Sequence, residues 1–376
     1  MTTTARKRLL LVGGGHAHVE VLRAFGQRPL PGLEIVLVEP QARMVYSGML
    51  PGWIAGHYRR TEIEIDLIGL ARYAGARWIR AAAAGLDADA ARLTLDDGRT
   101  LAYDRLSLNS GAPPRPPAAA SHVIAVKPTG PLLAAVDALA HETRAAPVAI
   151  VGGGAGGVEL ALALAHRCRN RPAPPRLALF TRSPALLTDH PQPVRRYLIR
   201  ALTIAGITVH TGQAVVDTPP GALVTADGRR IAAERVIWAA GAEAPAWLAG
   251  SGLRRDDDGF VQVAATLRSS SHETVFAGGD LASTPAGAPR AGVTAVRQGR
   301  VLAANLRRSV QGRRLRRFDP PRHALALIST GDRRAVASRG LPIAPAGYWL
   351  WRIKDRIDRR FVARYNGLVE SRGGPE

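Results

Sequence analysis

Two glycine-rich turns contain the residues best suited to chemistry. The first, LLLVGGGHAHVE at 9–20, presents Gly13 and Gly15, and the second, VAIVGGGAGGVELAL at 148–162, has the complete Gly-x-Gly-x-x-Gly pattern. A strand that ends in such a turn brings backbone N–H groups and a helix N-terminus onto a pyrophosphate. The glycines allow a tight turn and close approach of the phosphates, because no Cβ intervenes. The chemistry indicated is the binding of two dinucleotides.

The first turn departs from this pattern, because His18 stands where the third glycine is expected. Three interpretations are open: a nucleotide cradle, a metal site built on His16 and His18, or a purely structural turn. Side chains two residues apart on a helix point roughly 200° from one another, and no cysteine or acidic cluster stands nearby. We therefore predict no metal, expect His16 to face a bound nucleotide, and expect His18 to hold its helix slightly farther from the sheet.

The strands that follow the turns indicate which nucleotide each turn binds. Glu39 ends the first of these strands, 24 residues after Gly15, close to the spacing at which a carboxylate grips a ribose hydroxyl pair. The second ends in Thr181 and Arg182. An arginine there accommodates the 2′-phosphate of NADP, whereas a carboxylate would favour NAD. We favour NADPH, and a solvated arginine in an arginine-rich chain is the alternative.

Each turn needs an α/β unit to position it, and the same sequence pattern occurs twice in the chain. Each turn leads into a helical pattern and a second strand, and later into an apolar strand that ends in small residues, LSLNSGAPP at 106–114 and VIWAAGAEAP at 236–245. The proline-rich GAPPRPPAAA at 111–120 separates the halves. We predict an α/β fold with two Rossmann-like dinucleotide-binding domains and a small C-terminal region. The domains are 1–112 with 262–310 for the first dinucleotide, 121–250 for the second, and 311–376 for a β-hairpin and an amphipathic helix.

Composition excludes several other classes of protein. The formal net charge is +21, but the basic residues are spread along the chain and no nucleic-acid-binding motif accompanies them, so we predict no nucleic-acid partner. Cys168 is the single cysteine, which excludes both an intrachain disulfide and a two-cysteine redox centre. No apolar run reaches the roughly 18 residues of a membrane span, and the N-terminus does not look like a signal peptide. We expect a cytoplasmic protein.

Together the motifs resemble the two-dinucleotide-domain flavoproteins of the pyridine nucleotide-disulfide oxidoreductase fold. ETVFAGGDLA at 273–282 is similar to that family's second flavin motif, which implies that Asp280 binds the ribityl chain of FAD. RMVYSGMLPGWIAGHY at 43–58 replaces the family's cysteine pair and resembles a segment that type II NADH dehydrogenases and sulfide:quinone reductases carry beside the flavin. GGGHAHVEVLRAFG, KPTGP and WLWRIKDRIDRRF resemble flavoproteins that occur alone or fused ahead of selenide, water dikinase, in which His18 belongs to the fingerprint.

The resemblance implies an FAD-dependent NAD(P)H oxidoreductase, similar to NADH dehydrogenases, that passes electrons through flavin, without a dithiol, to a quinone or another small acceptor. A reductase of selenium metabolism and a non-catalytic flavin-bound redox sensor are the alternatives. Glu159 would orient the nicotinamide or, alternatively, cap its helix, and His16 is the second candidate catalytic residue. The residues implied for FAD are Gly13, Gly15, His16, Ala17, Glu39, Pro40, Arg43, Ser47, Gly48, Met49, Ser110, Gly111, Gly279, Asp280 and Thr294. Those implied for NAD(P)H are Gly152, Gly154, Ala155, Gly156, Gly157, Glu159, Arg182, Ala240 and Gly241.

The C-terminal segment 347–365 is a basic amphipathic helix pattern. Five large apolar residues recur there at every fourth position, and arginines occupy the other faces; the five are Trp349, Ile353, Ile357, Phe361 and Tyr365. Such a helix could lie on anionic lipid at the inner face of the membrane, pack on the core, or form a homodimer contact.

Overall fold

The computed structural model describes residues 6–117, 121–287, 291–320, 324–340 and 342–370. The last three residues of the predicted proline-rich separator and parts of the predicted C-terminal region lie outside these ranges. The helices are α1 (His16–Gln27), α2 (Leu50–Ile54), α3 (Arg60–Ile63), α4 (Leu67–Tyr73), α5 (Thr129–His141), α6 (Ala155–Cys168), α7 (Gln192–Ile204), α8 (Gly292–Val310) and α9 (Tyr348–Glu370). Short 3-10 turns cover Ala246–Leu248 and Gly279–Leu281.

The strands fall into three groups along the chain. The first group is β1 (Lys7–Val12), β2 (Leu33–Val38), β3 (Arg43–Val45), β4 (Glu64–Asp66), β5 (Ala76–Ile79), β6 (Ala83–Asp87), β7 (Arg92–Leu95), β8 (Thr100–Ala102) and β9 (Arg105–Leu108). The second is β10 (Val123–Ala125), β11 (Pro147–Val151), β12 (Arg176–Phe180), β13 (Thr208–His210), β14 (Val215–Asp217), β15 (Ala222–Thr225), β16 (Arg230–Ala232) and β17 (Arg235–Trp238). The third is β18 (Val261–Gln262), β19 (Val275–Ala277), β20 (Ala282–Ser283), β21 (Ala326–Ser329), β22 (Ala335–Ser338) and β23 (Ala346–Gly347).

The first sheet is parallel, in the order β19-β9-β1-β2-β5. Its central strand, β1, is buried on both faces from Leu9 to Val12, which explains the unbroken apolar run LLLV. Helices α1 and α8 pack together closely, because a Cβ on Gly299 would lie 3.0 Å from the carbonyl oxygen of Ala17. This packing fixes the α1 N-terminus beside the carboxyl ends of the strands.

The second sheet, β10-β17-β11-β12-β13, repeats four of the five strand positions of the first. In both sheets the strand before the glycine turn is central, and the two strands that follow lie to one side of it. Each half also has a three-stranded antiparallel meander, β6-β7-β8 or β14-β15-β16. The two sheets differ in the strand at one edge. In the first sheet this strand is β19, which comes after the whole second half in sequence, whereas in the second sheet it is β10, the first strand of that half. The α/β fold with two Rossmann-like sheets is thus confirmed.

The C-terminal region packs against both halves, α9 on the first and the β21–β22 hairpin on α6 and α7 of the second. Strands β21 and β22 form an antiparallel hairpin, β23 pairs with β22, and α9 packs against α4, β4 and the hairpin. The five apolar residues of α9 do not form one face: Phe361 and Tyr365 are buried, whereas Trp349, Ile353 and Ile357 are exposed. A four-residue step overshoots a helical turn by about 40°, so the stripe rotates about 160° over its length. Within the described residues, no helix combines the length and the apolar character that crossing a bilayer requires.

Candidate functional site

A cavity of about 600 Å³ opens at the carboxyl ends of the first sheet. Four strand ends and the segment 127–130 meet there, as expected for a ligand site at the edge of a parallel sheet. Nine of the residues predicted for FAD line it: Gly15, His16, Glu39, Arg43, Ser47, Ser110, Gly111, Gly279 and Asp280.

The glycines of the first turn are required by close packing against the end of β9. Gly13 has φ +90°, and a Cβ there would lie 2.3 Å from the Ser110 Cα. A Cβ on Gly15 would lie 2.4 Å from Asn109 Oδ1. The first turn can therefore pack against the end of β9 only because these side chains are absent.

Glu39 is held in the cavity by backbone donors. Its Oε2 accepts a hydrogen bond from Gly14 N–H at 2.6 Å, and its Oε1 accepts one from Gln41 N–H at 2.9 Å. Burial raises the pKa of the carboxyl. A fixed carboxylate that also lines the cavity suits the hydroxyl pair of a ribose.

Asn109 connects the start of α1, after the first glycine turn, to the loop that contains Asp280. It was not among the predicted residues. Its Oδ1 accepts hydrogen bonds from Ala17 N–H at 3.1 Å and His18 N–H at 3.3 Å, and its Nδ2 donates to Gly278 O at 2.8 Å. Gln298 supports the same loop, since its Oε1 accepts from Gly279 N–H at 2.6 Å. The sequence signal was the polar residue that ends the apolar strand in LSLNSGAPP.

Asp280 forms an ion pair within the cavity. Lys127 Nζ, from the stretch VKPTGP, lies 2.6 Å from Asp280 Oδ2, and both residues line the cavity. The pair joins the loop between β10 and α5, in the second half, to the Gly-Asp loop of the first half at Gly279–Leu281. Lys127 was not predicted as a site residue because its partner is 153 positions away.

His18 is a buried structural residue. A carbonyl oxygen can only accept, so Nδ1–H donates to Gly13 O at 2.6 Å, and Nε2 accepts from the Ser107 hydroxyl at 2.8 Å. In the second turn, a Cβ on Gly157 would lie 1.9 Å from Gly152 O. The imidazole thus stands at the position equivalent to Gly157, where the second helix touches its turn directly. The wider spacing of α1 stays a prediction.

His16 faces the cavity and has different neighbours from His18. Its Nε2 lies 3.2 Å from Ser47 Oγ, and its ring lies 5.6 Å from the ring of Tyr46. Burial and the charge of Lys127 lower the pKa of His16 to about 4, so the ring is neutral at pH 7. The two histidines do not converge on one point, and the described residues contain no group of three ligating side chains that could hold a metal.

We expect acid to destabilise the fold through His18. Burial lowers its pKa from 6.5 to about 4, so between these values the unfolded chain binds a proton that the folded chain does not. Stability therefore falls as the pH falls from 6.5 towards 4. The melting temperature of His18→Gly should fall less steeply over this range than that of the native chain. Parallel melting curves for the two proteins would contradict this role.

The other residues predicted for FAD lie outside the cavity lining. Ala17 is buried beneath the turn, and Met49 is fully buried at the start of α2. Gly48 turns its carbonyl oxygen towards the Lys354 ammonium group. Pro40 is exposed, and Thr294 lies in the first turn of α8 behind Gly292, which does line the cavity.

A second cavity of about 590 Å³ lies at the carboxyl ends of the second sheet. A Cβ on Gly156 would meet nothing within 4 Å, whereas Gly157 packs against the turn. Arg182 is exposed and makes no ion pair with any residue in the described ranges. The predicted NAD(P)H residues that line the cavity are Gly152, Gly154, Ala155, Arg182, Ala240 and Gly241.

Glu159 is directed towards the C-terminal hairpin. Its Oε1 accepts hydrogen bonds from Ser329 N–H at 2.7 Å and from the Ser329 hydroxyl at 3.0 Å. Burial raises the pKa of the Glu159 carboxyl, and the positive charge of Lys354 opposes this shift. Gly154 occupies the N-cap of α6, so the alternative of a capping role for Glu159 is wrong.

Lys354 and Asp358 link α9 to the wall beside His16. Lys354 Nζ lies 2.5 Å from Asp358 Oδ2, and the Tyr46 hydroxyl donates to Asp358 Oδ1 at 3.2 Å. The Tyr46 ring in turn stacks on Phe361, with 4.4 Å between the ring centroids. Residues of α9 therefore contact Tyr46 beside the first cavity, and the charge of Lys354 acts on Glu159 in the second half. None of these α9 residues was predicted as a site residue.

Comparison with known proteins agrees with this architecture. The chain is 32% identical over 235 residues to an NADH dehydrogenase-like protein of Mycobacterium tuberculosis, with 56% of each chain covered. The match thus spans little more than half of that relative. Demethylphylloquinone reductase of Synechocystis is 27% identical over 299 residues, covering 74% of this chain and 72% of the relative.

Solved structures show the same fold. The sulfide:quinone oxidoreductase of Aquifex aeolicus superposes with a TM-score of 0.74 at 15% identity, covering 96% of this chain and 92% of that one. The family model described as pyridine nucleotide-disulphide oxidoreductase matches residues 7–299, which include both glycine turns and the Gly-Asp loop. The chain therefore belongs to the pyridine nucleotide-disulphide oxidoreductase family.

Proposed function

We propose that this protein is an FAD-dependent NAD(P)H oxidoreductase that works without a redox dithiol. The observation that supports this most strongly is the pair of cavities beneath two equivalent glycine turns, one in each half of the chain. Cys168 is buried in α6 and lines neither cavity, so a cysteine relay of the kind that names the family is absent.

The first cavity suits FAD and the second suits a nicotinamide dinucleotide. Bound FAD would supply the ability to take a hydride from the nicotinamide, a step that needs alignment more than acid–base groups. Gly15 and the N-terminus of α1 would face the pyrophosphate, and Glu39 would bind the adenosine ribose. Asp280 would bind the ribityl chain, and this contact would replace part of its ion pair with Lys127. His16 lines the first cavity, is neutral, and could form a hydrogen bond with bound FAD, so we assign it a role in positioning the FAD.

We propose a quinone as the acceptor, supported by the similarity to demethylphylloquinone reductase. Turnover of NAD(P)H by the FAD-loaded protein with a soluble quinone tests this proposal, with a selenium compound as the second acceptor. Faster turnover with the quinone is expected. Turnover only with the selenium compound would favour the role in selenium metabolism, and negligible turnover with every acceptor would favour a redox sensor.

We propose that the second cavity prefers NADPH, and that Arg182 determines the preference. Its guanidinium is exposed, has no ion-pair partner among the described residues, and lines the cavity where a 2′-phosphate would lie. An ionic hydrogen bond contributes roughly 1.5–3 kcal/mol, so Arg182→Ala should raise KM for NADPH about tenfold or more while changing KM for NADH less than about twofold. Arg115→Ala is the control, since Arg115 lines the same cavity but lies 3.8 Å from Glu243. Equal losses for both nucleotides in Arg182→Ala would contradict the preference.

We propose that α9 also makes a peripheral contact with anionic lipid at the inner face of the membrane. Trp349, Ile353 and Ile357 are exposed along one part of the helix, with Arg352 and Arg356 beside them. Basic residues next to exposed apolar ones suit the headgroup boundary.

Replacing Ile353 and Ile357 together with serine should therefore abolish most co-flotation with vesicles that contain phosphatidylglycerol. Ile199→Ser, at a comparably exposed isoleucine on α7, is the control and should float like the native chain. If the double variant floats normally, the lipid contact is refuted. If it changes the oligomeric state instead, α9 is a homodimer contact.

A further inference from the structure

A third cavity, of about 580 Å³, has no role in the proposed reaction. It lies between α6, α7 and the tip of the β21–β22 hairpin, and it shares no lining residue with either nucleotide cavity. Its volume falls in the range of small-molecule sites in proteins, about 300–1,000 Å³. It is therefore large enough to hold a ligand of its own.

The floor of this cavity is aliphatic. Leu162 and Ala165 contribute from α6, and Ala201 and Ile204 contribute from α7. Ile204 is 76% exposed, although it is a large apolar side chain at the edge of a concave surface. A ligand with an aliphatic body would cover this side chain and remove its surface from water.

The rim of the cavity is positively charged. Arg169, Arg200 and Arg334 line it, and Asp332 is the one acidic residue among the lining residues. Asp332 is already engaged, since its Oδ1 accepts from the Thr330 hydroxyl at 2.6 Å and its Oδ2 lies 4.0 Å from Arg334 Nε. Within the described part of the chain, Arg200 has neither an ion pair nor a hydrogen bond from its guanidinium.

The remaining polar groups do not neutralise this rim. His166 also lines the cavity, and burial together with the charge of Arg169 lowers its pKa to about 4, so it contributes no charge at pH 7. The rim thus carries more positive than negative charge around an apolar floor. Such an arrangement matches a ligand that is apolar at one end and anionic at the other.

We propose that this third cavity binds an amphiphilic anion, an aliphatic chain that ends in a carboxylate. The carboxylate would pair with Arg200 and Arg334, because a guanidinium presents two parallel donors that match a carboxylate. The chain would lie along the groove between α6 and α7 and cover Ile204. A simple inorganic anion would leave the apolar floor exposed, and a neutral lipid would leave Arg200 without a partner.

Calorimetric titration of the purified full-length protein with dodecanoate, below its micelle concentration, tests this proposal. One site per chain is expected, and acetate and dodecyltrimethylammonium should bind at least tenfold more weakly. Arg200→Ala should weaken dodecanoate binding about tenfold or more. Ala201→Phe, which fills the groove, should abolish binding.

Two control variants separate this site from other basic or apolar surfaces. Arg196→Ala changes another exposed arginine of α7 that does not line the cavity, and Ile353→Ser changes the exposed part of α9. Both should bind dodecanoate like the native chain. Equal binding of dodecyltrimethylammonium, loss of binding in either control, or full binding by Arg200→Ala would overturn the proposal. Because no nucleotide is involved, the result does not depend on the proposed oxidoreductase activity.

Discussion

Asn109→Leu is expected to produce a folded protein that retains little FAD. The substitution removes the acceptor for Ala17 N–H and the donor to Gly278 O, both at the junction of the two loops around the first cavity. Each buried polar group left without a partner costs on the order of 1–3 kcal/mol. In the free variant the two loops can separate so that water satisfies these groups. FAD binding would have to close the loops again at a comparable cost, which corresponds to a decrease in FAD affinity of roughly a hundredfold or more. The ratio of flavin absorbance to protein absorbance after dialysis measures the effect.

Asn305→Leu is the matched control for this variant. Asn305 is also fully buried and also makes three hydrogen bonds, but it joins α8 to Thr266 and Arg316 rather than to the cavity. It should lower the melting temperature and leave the flavin content nearly unchanged. If both variants lose flavin in proportion to their loss of stability, Asn109 has only a general structural role.

The second large effect is expected for Gly157→Ala. A Cβ at this position would lie 1.9 Å from Gly152 O, so α6 would have to move away from the turn that faces the second cavity. We expect the affinity for NAD(P)H to fall at least about a hundredfold, because the helix N-terminus would no longer align with the pyrophosphate. The flavin should stay bound and should still be reduced by dithionite.

Gly156→Ala provides the comparison at the neighbouring position. A Cβ there would meet nothing within 4 Å, and the residue is exposed in the same turn of α6. Reduction of the flavin by NADPH in this variant should remain within about threefold of the native rate, because alanine also favours the helix. Reduction by NADPH at the native rate in Gly157→Ala as well would show that the N-terminus of α6 does not bind the dinucleotide.

Local patterns were sufficient to predict the two halves of the fold. The apolar run of β1 and the glycines at 13 and 15 specify a buried parallel strand and a tight turn from residues that are adjacent in sequence. The same pattern recurs at β11, and the two sheets have equivalent central strands. Glu39 could be placed because the end of a neighbouring parallel strand is fixed by the sheet.

Contacts between distant segments could not be predicted in this way. Glu159 and Ser329 are 170 positions apart, and Lys127 and Asp280 are 153 apart, so no periodicity relates them. The division of α9 into an exposed and a buried part was not predicted, because a spacing of four residues drifts around a helix of 3.6 residues per turn. His18 could be recognised as a departure from the glycine pattern, but its partner Ser107 depends on how β9 pairs with β1.

Electron transfer between the two cavities is tested most directly by an anaerobic titration of the FAD-loaded protein with NADPH, monitored by the flavin absorbance. One NADPH should bleach one flavin, and Gly157→Ala should not be bleached under the same conditions although dithionite reduces it. If the flavin of the native protein stays oxidised with both NADPH and NADH, while dithionite reduces it, electron transfer between the two cavities is contradicted.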